Sequence, residues 1–468
     1  MGMSRRCFLG TAFSAVGAAV SSKELDKGPN LKVGVLSDTH VSMRRNQKEF
    51  VNALKFYKKE RVDAILIAGD ICHMGFFKEL QKVSEAWYSV FPNDRYEDGT
   101  PIEKIFVTGN HDEEAWYWRC PKSRYEKNKR ASFSIDKARY WKQLFHEEWK
   151  PIFSKRVKGY TFVGAHWKEW YDGKLDKFLQ SIKGELSSDK PFFYLQHPHL
   201  ENTVFGPWAW GAWDDRGFGR KALNAYPNAL AFSGHSHFPL TDERDIWQGE
   251  FTAVGTSSLS DTCLPYGREN GMLTDMDSES QMSRRWNSWA RQGMLMRVWD
   301  HVIVLERYNF IRMEKLDEDW VIPIRHGRFE EHPFAFENRS KLTSAPEFPK
   351  GAKITFSERE GKNRRGVAKK QLVVTFPAAD SVDWRKRVYD YEVSAEIVDC
   401  DTVKPCITKR VYQRGMQSNA QYVGTQAACV FALDELPASK KLLRFAVTPL
   451  NCYGKRGKTL YARYTFKS

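Results

Sequence analysis

The sequence predicts an α/β domain followed by an all-β module. Three observations carry this. From Leu31 to Phe310, short β-rich runs alternate with helix-patterned stretches, the order expected of βαβ units. Beyond Pro349, seven short β-patterned runs are separated by turn residues, the pattern of a β-sandwich. Between them "RHGRFEEHPFAFENRSKLTSAPEFPKGAK" has no period and several prolines. The expected division is residues 31–325, a linker at 326–349, and a module at 350–468.

"LKVGVLSD" (Leu31–Asp38) and "VDAILIAGD" (Val62–Asp70) read as strands, and Phe50, Leu54 and Tyr57 between them recur at helical spacing. A helical stretch around Leu80–Trp87 leads to a third strand, "EKIFVTGNHD" (Glu103–Asp112). Glu113–Lys158 is charged and aromatic and reads as a helical insertion. "YTFVGAHW", "PFFYLQHPH", "NALAFSGHSH" and "GEFTAVGTSS" are four more apolar runs, each ending where polar residues begin. Leu264–Arg291 is polar and Ser-rich, an expected irregular loop, and Gly293–Phe310 alternates about Asp300 and His301 as a closing hairpin would. In the module, "LLRFAVTPLNCYGKRGKTLYARYTF" resembles the last two strands of a fibronectin type III domain.

The first residues, "MGMSRRCFLGTAFSAVGAAVSS", place Arg5 and Arg6 before a short apolar run from Phe8 to Val20. This is the layout of a secretory signal, and the arginine pair resembles a twin-arginine export signal over residues 1–22. The expected location is periplasmic or cell-surface. That route carries folded proteins, which suits one that loads metal in the cytoplasm. No run is long and apolar enough to span a bilayer. Cys400 and Cys406 are a candidate hairpin bridge, with free buried thiols the alternative, and the cysteine spacing fits no zinc ribbon.

The chain has a formal charge of +15, and Pro349–Ser468 holds 23 Lys and Arg against 11 Asp and Glu. A basic module of this kind suits an anionic envelope polymer, lipid headgroups or nucleic acid, or is a solvated surface. No nucleic-acid-binding motif stands out.

Chemistry gathers at the strand ends. "SDTH" supplies Asp38 and His40, "AGD" Asp70, "TGNHD" Asn110 and His111, "QHPH" His197, and "SGHSH" His235 and His237. Carboxylates, an amide and imidazoles are ligands for divalent Mn, Fe or Zn. Each motif alone is an ordinary turn; five in order, each after an apolar run, are a constellation.

These blocks resemble the calcineurin-like metallophosphoesterase superfamily, over roughly Leu31–Phe310. Their wording is most similar to the cyclic-nucleotide and glycerophosphodiester phosphodiesterase branch. The resemblance implies a four-layer α/β/β/α sandwich and two divalent ions (Mn, Fe, Zn or a mixture). It implies that Asp38, His40 and His237 hold one ion, that Asn110, His197 and His235 hold the other, and that Asp70 bridges them. A water bound between the ions would be the nucleophile. His111 would face the substrate and assist the leaving oxygen, with Asp112 orienting it or capping a helix.

The expected function is therefore an exported phosphoesterase, with a diester the favoured substrate. A phosphomonoesterase is one alternative, and a surface-binding protein with this domain as scaffold is another. Purple acid phosphatases add a metal-bound tyrosine, and "AGDICH" offers none near Asp70, which sets that variant aside. Trp208, Trp210 and Trp213 lie in a Gly-rich loop suited to a leaving-group wall, and Arg216 or Arg220 to a second phosphate. His166, His73 and His199 lie at strand ends and are candidates to line the pocket, with a hydrogen-bonded loop histidine the plainer reading of each.

Overall fold

The computed structural model describes residues 28–186, 189–206, 215–264, 267–270, 279, 290–329, 331–399, 402–413, 425–437 and 442–466. The leader, the three tryptophans at 208, 210 and 213, and Cys400 lie outside them. The chain forms two units. The first takes the described residues up to Leu240, Arg244–Thr262 and Ala290–Phe336; the second takes Thr241–Glu243, those between Cys263 and Trp289, and those from Glu337 on.

In the first unit β1 (Leu31–Leu36), β2 (Ala64–Ala68) and β3 (Glu103–Val107) run parallel, linked by α1 (Gln47–Glu60) and α2 (Phe77–Val90). β10 (Gln292–Val298) lies antiparallel on the other edge of β1, and β11 (Val302–Asn309) follows it as the expected hairpin. β12 (Glu314–Lys315) and β13 (Trp320–Pro323) complete this sheet against β11.

The second sheet has the order β4 (Ile152–Val157), β5 (Tyr160–Ala165), β6 (Phe192–Leu195), β7 (Ala229–Ser233), β9 (Thr252–Gly255), β8 (Ile246–Gln248). Its central pairs β5–β6, β6–β7 and β7–β9 are parallel.

Alternation along the strands builds the layers. Val33, Val35, Leu66 and Ile105 of one sheet share a core with Phe162, Phe193, Leu230 and Phe232 of the other. The next residues in register, Ile65, Ile67 and Phe106, face away to meet Phe50, Leu54, Leu80 and Trp87 of α1 and α2. Tyr194, Ala229 and Ala231 likewise meet Leu175 and Leu179 of the helix Lys174–Ser181 and Leu223 of the helix Phe218–Leu223. A strand with both neighbours apolar is buried on both faces, so the layers run helix, sheet, sheet, helix, as expected.

Three expectations change. Glu113–Lys158 starts as short helices, α3 (Asn110–Glu113), α4 (Ala115–Trp118), α5 (Tyr125–Ala131) and α6 (Lys137–Phe145), but ends in strand β4, paired antiparallel with β5. The two residues joining them, Lys158 and Gly159, both have positive φ (50° and 81°), as a two-residue hairpin turn requires.

The stretch 326–349 is no free tether. Phe329 and Phe334 sit in the first unit's core, while Thr343 and Ser344 accept hydrogen bonds from Asn451 Nδ2 (3.2 and 3.0 Å) in the second. The polar stretch after Leu264 contributes Arg268, held on Asp390 at 2.6 Å, to the second unit.

That unit has two antiparallel sheets. One joins Thr355–Lys362, Ala368–Pro377 and Gln426–Ala432 (β14, β15, β18); the other joins Thr402–Tyr412, Val388–Asp399, Leu442–Asn451 and Leu460–Thr465 (β17, β16, β19, β20). Leu372, Val374 and Phe431 of the first meet Tyr391, Val393 and Phe445 of the second. All seven expected strands are present. Several basic residues are paired within the unit: Arg410 on Asp390 at 2.8 Å and Arg444 on Glu396 at 2.6 Å. Cys406 is a free, exposed thiol, so the described part of the chain offers it no bridge. No helix among the described residues is long and apolar enough to cross a membrane.

Candidate metal centre

All seven predicted ligand residues follow the C-terminal ends of strands of the first unit: Asp38 and His40 after β1, Asp70 after β2, Asn110 after β3, His197 after β6, His235 and His237 after β7. An abrupt turn is needed there to aim a side chain inward. Asp38, His40, Asp70, His235 and His237 accordingly have φ of 48°, 41°, 50°, 67° and 57°. Non-glycine residues avoid this region, and strain of this kind persists only where packing holds it.

The side chains form two abutting clusters. Asp38, His40 and His237 are one; Asp70, His197 and His235 are the other. His40 Nε2 lies 3.2 Å from His237 Nε2, and His197 Nε2 lies 3.2 Å from His235 Nδ1. Asp70 Oδ2 stands between the clusters, 3.6 Å from His40 Nε2 and 3.2 Å from His197 Nε2. Asn110 Oδ1 is buried with no hydrogen-bond partner.

The far sides of the rings decide what faces inward. His237 Nδ1 lies 2.8 Å from the Asp261 carbonyl, and His197 Nδ1 lies 2.8 Å from the Ala68 carbonyl. A carbonyl only accepts, so both Nδ1 atoms are protonated, and in the neutral ring each Nε2 is the atom that presents a lone pair. In that neutral form His237 Nε2 would point a lone pair at Asp38 Oδ1 from 2.9 Å. Lone pairs and buried carboxylate oxygens this close are stable only with positive charge between them.

Titration follows the same logic. Burial works against a charged His197, but Asp70 and Asp38 outweigh it and push the ring up to about 9. Burial likewise opposes the Asp38 carboxylate, yet His237 and His197 hold it well below the usual range. A proton takes the place a cation would fill. The donor set therefore fits divalent cations: acidic oxygens, an amide oxygen and neutral imidazoles whose tautomers are set from behind.

The surrounding loops pack to atomic contact. A Cβ on Gly69 would stand 2.3 Å from His197 Nδ1. Asp38 Oδ2 accepts the His235 N–H (3.0 Å), and the Ser37 hydroxyl lies 2.5 Å from the same oxygen.

His111 sits beside the first cluster, its ring 4.4 Å from that of His40. Its backbone N–H donates to Asp70 Oδ1 (2.9 Å), and its Nδ1–H donates to the His73 carbonyl (2.6 Å). Burial draws the ring down to about 2, against the pull of Asp70. Asp112 has other partners: it accepts the N–H groups of Ile71, Cys72 and Gly109 at 3.1, 2.7 and 2.8 Å. None of its hydrogen bonds reaches the His111 ring, so it locks the loops after β2 and β3 together.

His166 is packed rather than presented. Its ring stacks on Trp149 at 3.7 Å, and its Nδ1 accepts the Thr108 N–H at 3.1 Å. His199 bonds Ser233 and Ser236 hydroxyls at 2.7 Å each, tying the loops after β6 and β7. Arg216 lies over the Tyr171 ring, and Arg220 is spent on the carbonyls of Glu201 and Asn202. The sequence reading missed Asp261, which fixes the His237 tautomer, and Arg119, which reaches the rim; neither lies in a spaced motif.

The family model of the calcineurin-like phosphoesterases matches residues 31–239. This segment is similar to the calcineurin-like phosphoesterases.

Among solved structures, a dimetal phosphatase from Danio rerio is 10% identical over 64% of this chain and 100% of its own, with TM-score 0.39. The protein TT1561 of Thermus thermophilus is 11% identical over 60% and 99%, with TM-score 0.34. Yfce, a phosphoesterase from E. coli, is 13% identical over 63% and 100%, with TM-score 0.27. No curated protein matches the chain. The phosphoesterase segment contains every predicted ligand, from Asp38 to His237.

Proposed function

We propose that the first unit hydrolyses phosphate esters, diesters in preference, with Asp38, His40 and His237 holding one cation, Asn110, His197 and His235 a second, and Asp70 both. The facing imidazole nitrogens, 3.2 Å apart in each cluster around two buried carboxylates, carry this reading. Two bound cations supply Lewis-acid charge to the phosphoryl oxygens and an acidified water.

The protein's own residues do the rest. Asp261 and Ala68 keep His237 and His197 in the ligating tautomer. With Nδ1–H held by the His73 carbonyl, His111 turns Nε2 toward the substrate side. An anionic phosphate beside it favours the charged ring, and the proton then passes to the leaving oxygen. The preference for a diester rests on the wording of the strand-end motifs.

Hydrolysis of bis(4-nitrophenyl) phosphate and of 4-nitrophenyl phosphate by chelator-stripped protein resupplied with Mn²⁺, Fe²⁺ or Zn²⁺ tests this. The expected result is metal-dependent turnover, faster on the diester, with kcat about 10²-fold lower in His111→Ala. Faster monoester cleavage would make the protein a phosphomonoesterase. No turnover with any metal would sink the reading.

The proposal extends to export, supported by Arg5 and Arg6 before the apolar run Phe8–Val20. Replacing both arginines with lysine is expected to leave the protein inside the cell in a fractionation assay. Unchanged export would remove the twin-arginine reading.

A further inference from the structure

Arg119 caps α4 at the rim of the centre. Its Nη1 donates to His73 Nε2 at 3.1 Å, and its guanidinium lies over the Trp118 ring at 5.1 Å. The His73 ring is 5.5 Å from those of both His40 and His111, and the Trp118 ring meets His111 edge-on at 5.1 Å. One imidazole therefore separates this guanidinium from a ligand residue.

Some arginines of the unit are neutralised by acidic partners: Arg61 pairs with Asp98 at 2.7 Å, Arg220 with Glu250 at 3.0 Å, and Arg297 with Glu60 at 2.8 Å. Among the described residues, no carboxylate comes within ion-pair distance of Arg119, nor of Arg45. Arg45 stands on the loop after His40, which Asn46 ties to the centre by donating to the His40 carbonyl at 3.0 Å. Its charge acts on both His73 and Arg119. Two like charges thus act on one side of the site with no carboxylate in ion-pair contact, while Asp70 and Asp261 attract Arg119 only through space. A planar fork with spare N–H donors, braced on Trp118 and His73, matches an oxyanion.

We propose that Arg119, aided by Arg45, binds a second oxyanion group of the substrate, beyond the phosphoryl group at the centre. The substrate class is then a phosphate ester carrying a further phosphate or carboxylate. This deepens the phosphoesterase reading and rests on it. The role suggested by sequence for Arg216 and Arg220 falls instead to residues on the His111 side.

Equilibrium binding tests it without turnover. Mn²⁺-loaded protein is titrated by calorimetry with methylphosphonate, methylenediphosphonate and phosphonoacetate. The two-anion ligands are expected to bind about tenfold or more tighter than methylphosphonate, one charge-assisted pair being worth that much. In Arg119→Ala most of that advantage should go; Arg119→Lys should keep part, and Arg45→Ala should lose a smaller share. Whichever two-anion ligand is more sensitive identifies the second group. Full advantage in Arg119→Ala, or equal losses for all three ligands, would overturn the proposal while leaving the centre's reading intact. Failure of wild type to bind any of the three overturns both.

Discussion

Asp70→Asn is expected to cut phosphoester hydrolysis by about three orders of magnitude, roughly 4 kcal/mol of transition-state stabilisation at 1.36 kcal/mol per tenfold. The substitution keeps the shape and volume of the side chain. It removes the negative charge that stands between the two clusters, 3.6 Å from His40 Nε2 and 3.2 Å from His197 Nε2. It also places an NH₂ group, a donor that ligates no cation, at one of two oxygens. The other carboxylate oxygen accepts the His111 N–H at 2.9 Å, and the amide oxygen can keep that bond, so the fold should survive. Calorimetric titration should show the cation stoichiometry falling from two to one or none, alongside the lost kcat. Wild-type kcat with two cations bound would refute the assignment of Asp70 as the shared ligand.

Gly234→Ala should be nearly as damaging for a steric reason. A Cβ there would stand 1.9 Å from Ser37 Oγ and 2.3 Å from Asp38 Oδ2. Both partners are 0% exposed, so neither can swing into solvent. The loop after β7 would have to lift from the loop after β1, taking His235 and His237 away from Asp38. Overpacking of this kind costs about 2–3 kcal/mol, and separating the ligands should weaken cation binding by about 10²-fold, the scale seen when ligand support is lost. Gly184→Ala is the control: nothing lies within 4 Å of its added Cβ, so stability should stay within about 0.5 kcal/mol. Thermal denaturation and metal titration of the pair separate the outcomes. A Gly234→Ala protein that binds cations like wild type would show the two loops are not in contact.

The ligands were legible because each combines two local signals. An apolar run marks the strand, and a small or polar turn marks its end, so Asp38, Asp70, Asn110, His197, His235 and His237 can be placed at strand ends from local pattern, while their pairing into ligand sets comes from the family resemblance. The same signal misleads for His166. It too ends a strand, but whether a strand-end imidazole faces the centre or stacks on Trp149 depends on α6 and the residues after it, which no local pattern reports. Strand β4 was hidden in a charged segment because an edge strand needs no continuous apolar face; only the Lys158–Gly159 pair marked the turn. Arg119 carried no motif at all. Its position follows from where short helix α4 ends, a tertiary fact.

The order in which this centre comes together follows from the place of β1. That strand carries the first ligands yet lies in the middle of its sheet, flanked by β2 on one side and by β10 on the other, where Leu31 pairs with Val298. A ribosome that has released β1, β2 and β3 has delivered Asp38, His40, Asp70 and Asn110, but neither the residues after β7 nor the second edge of the strand that holds the first of them. Closing so long a loop is slow. Half of the centre therefore waits, acidic and open, through most of the unit's synthesis, and the proposed pair of cations would be captured only after the chain has returned to β1.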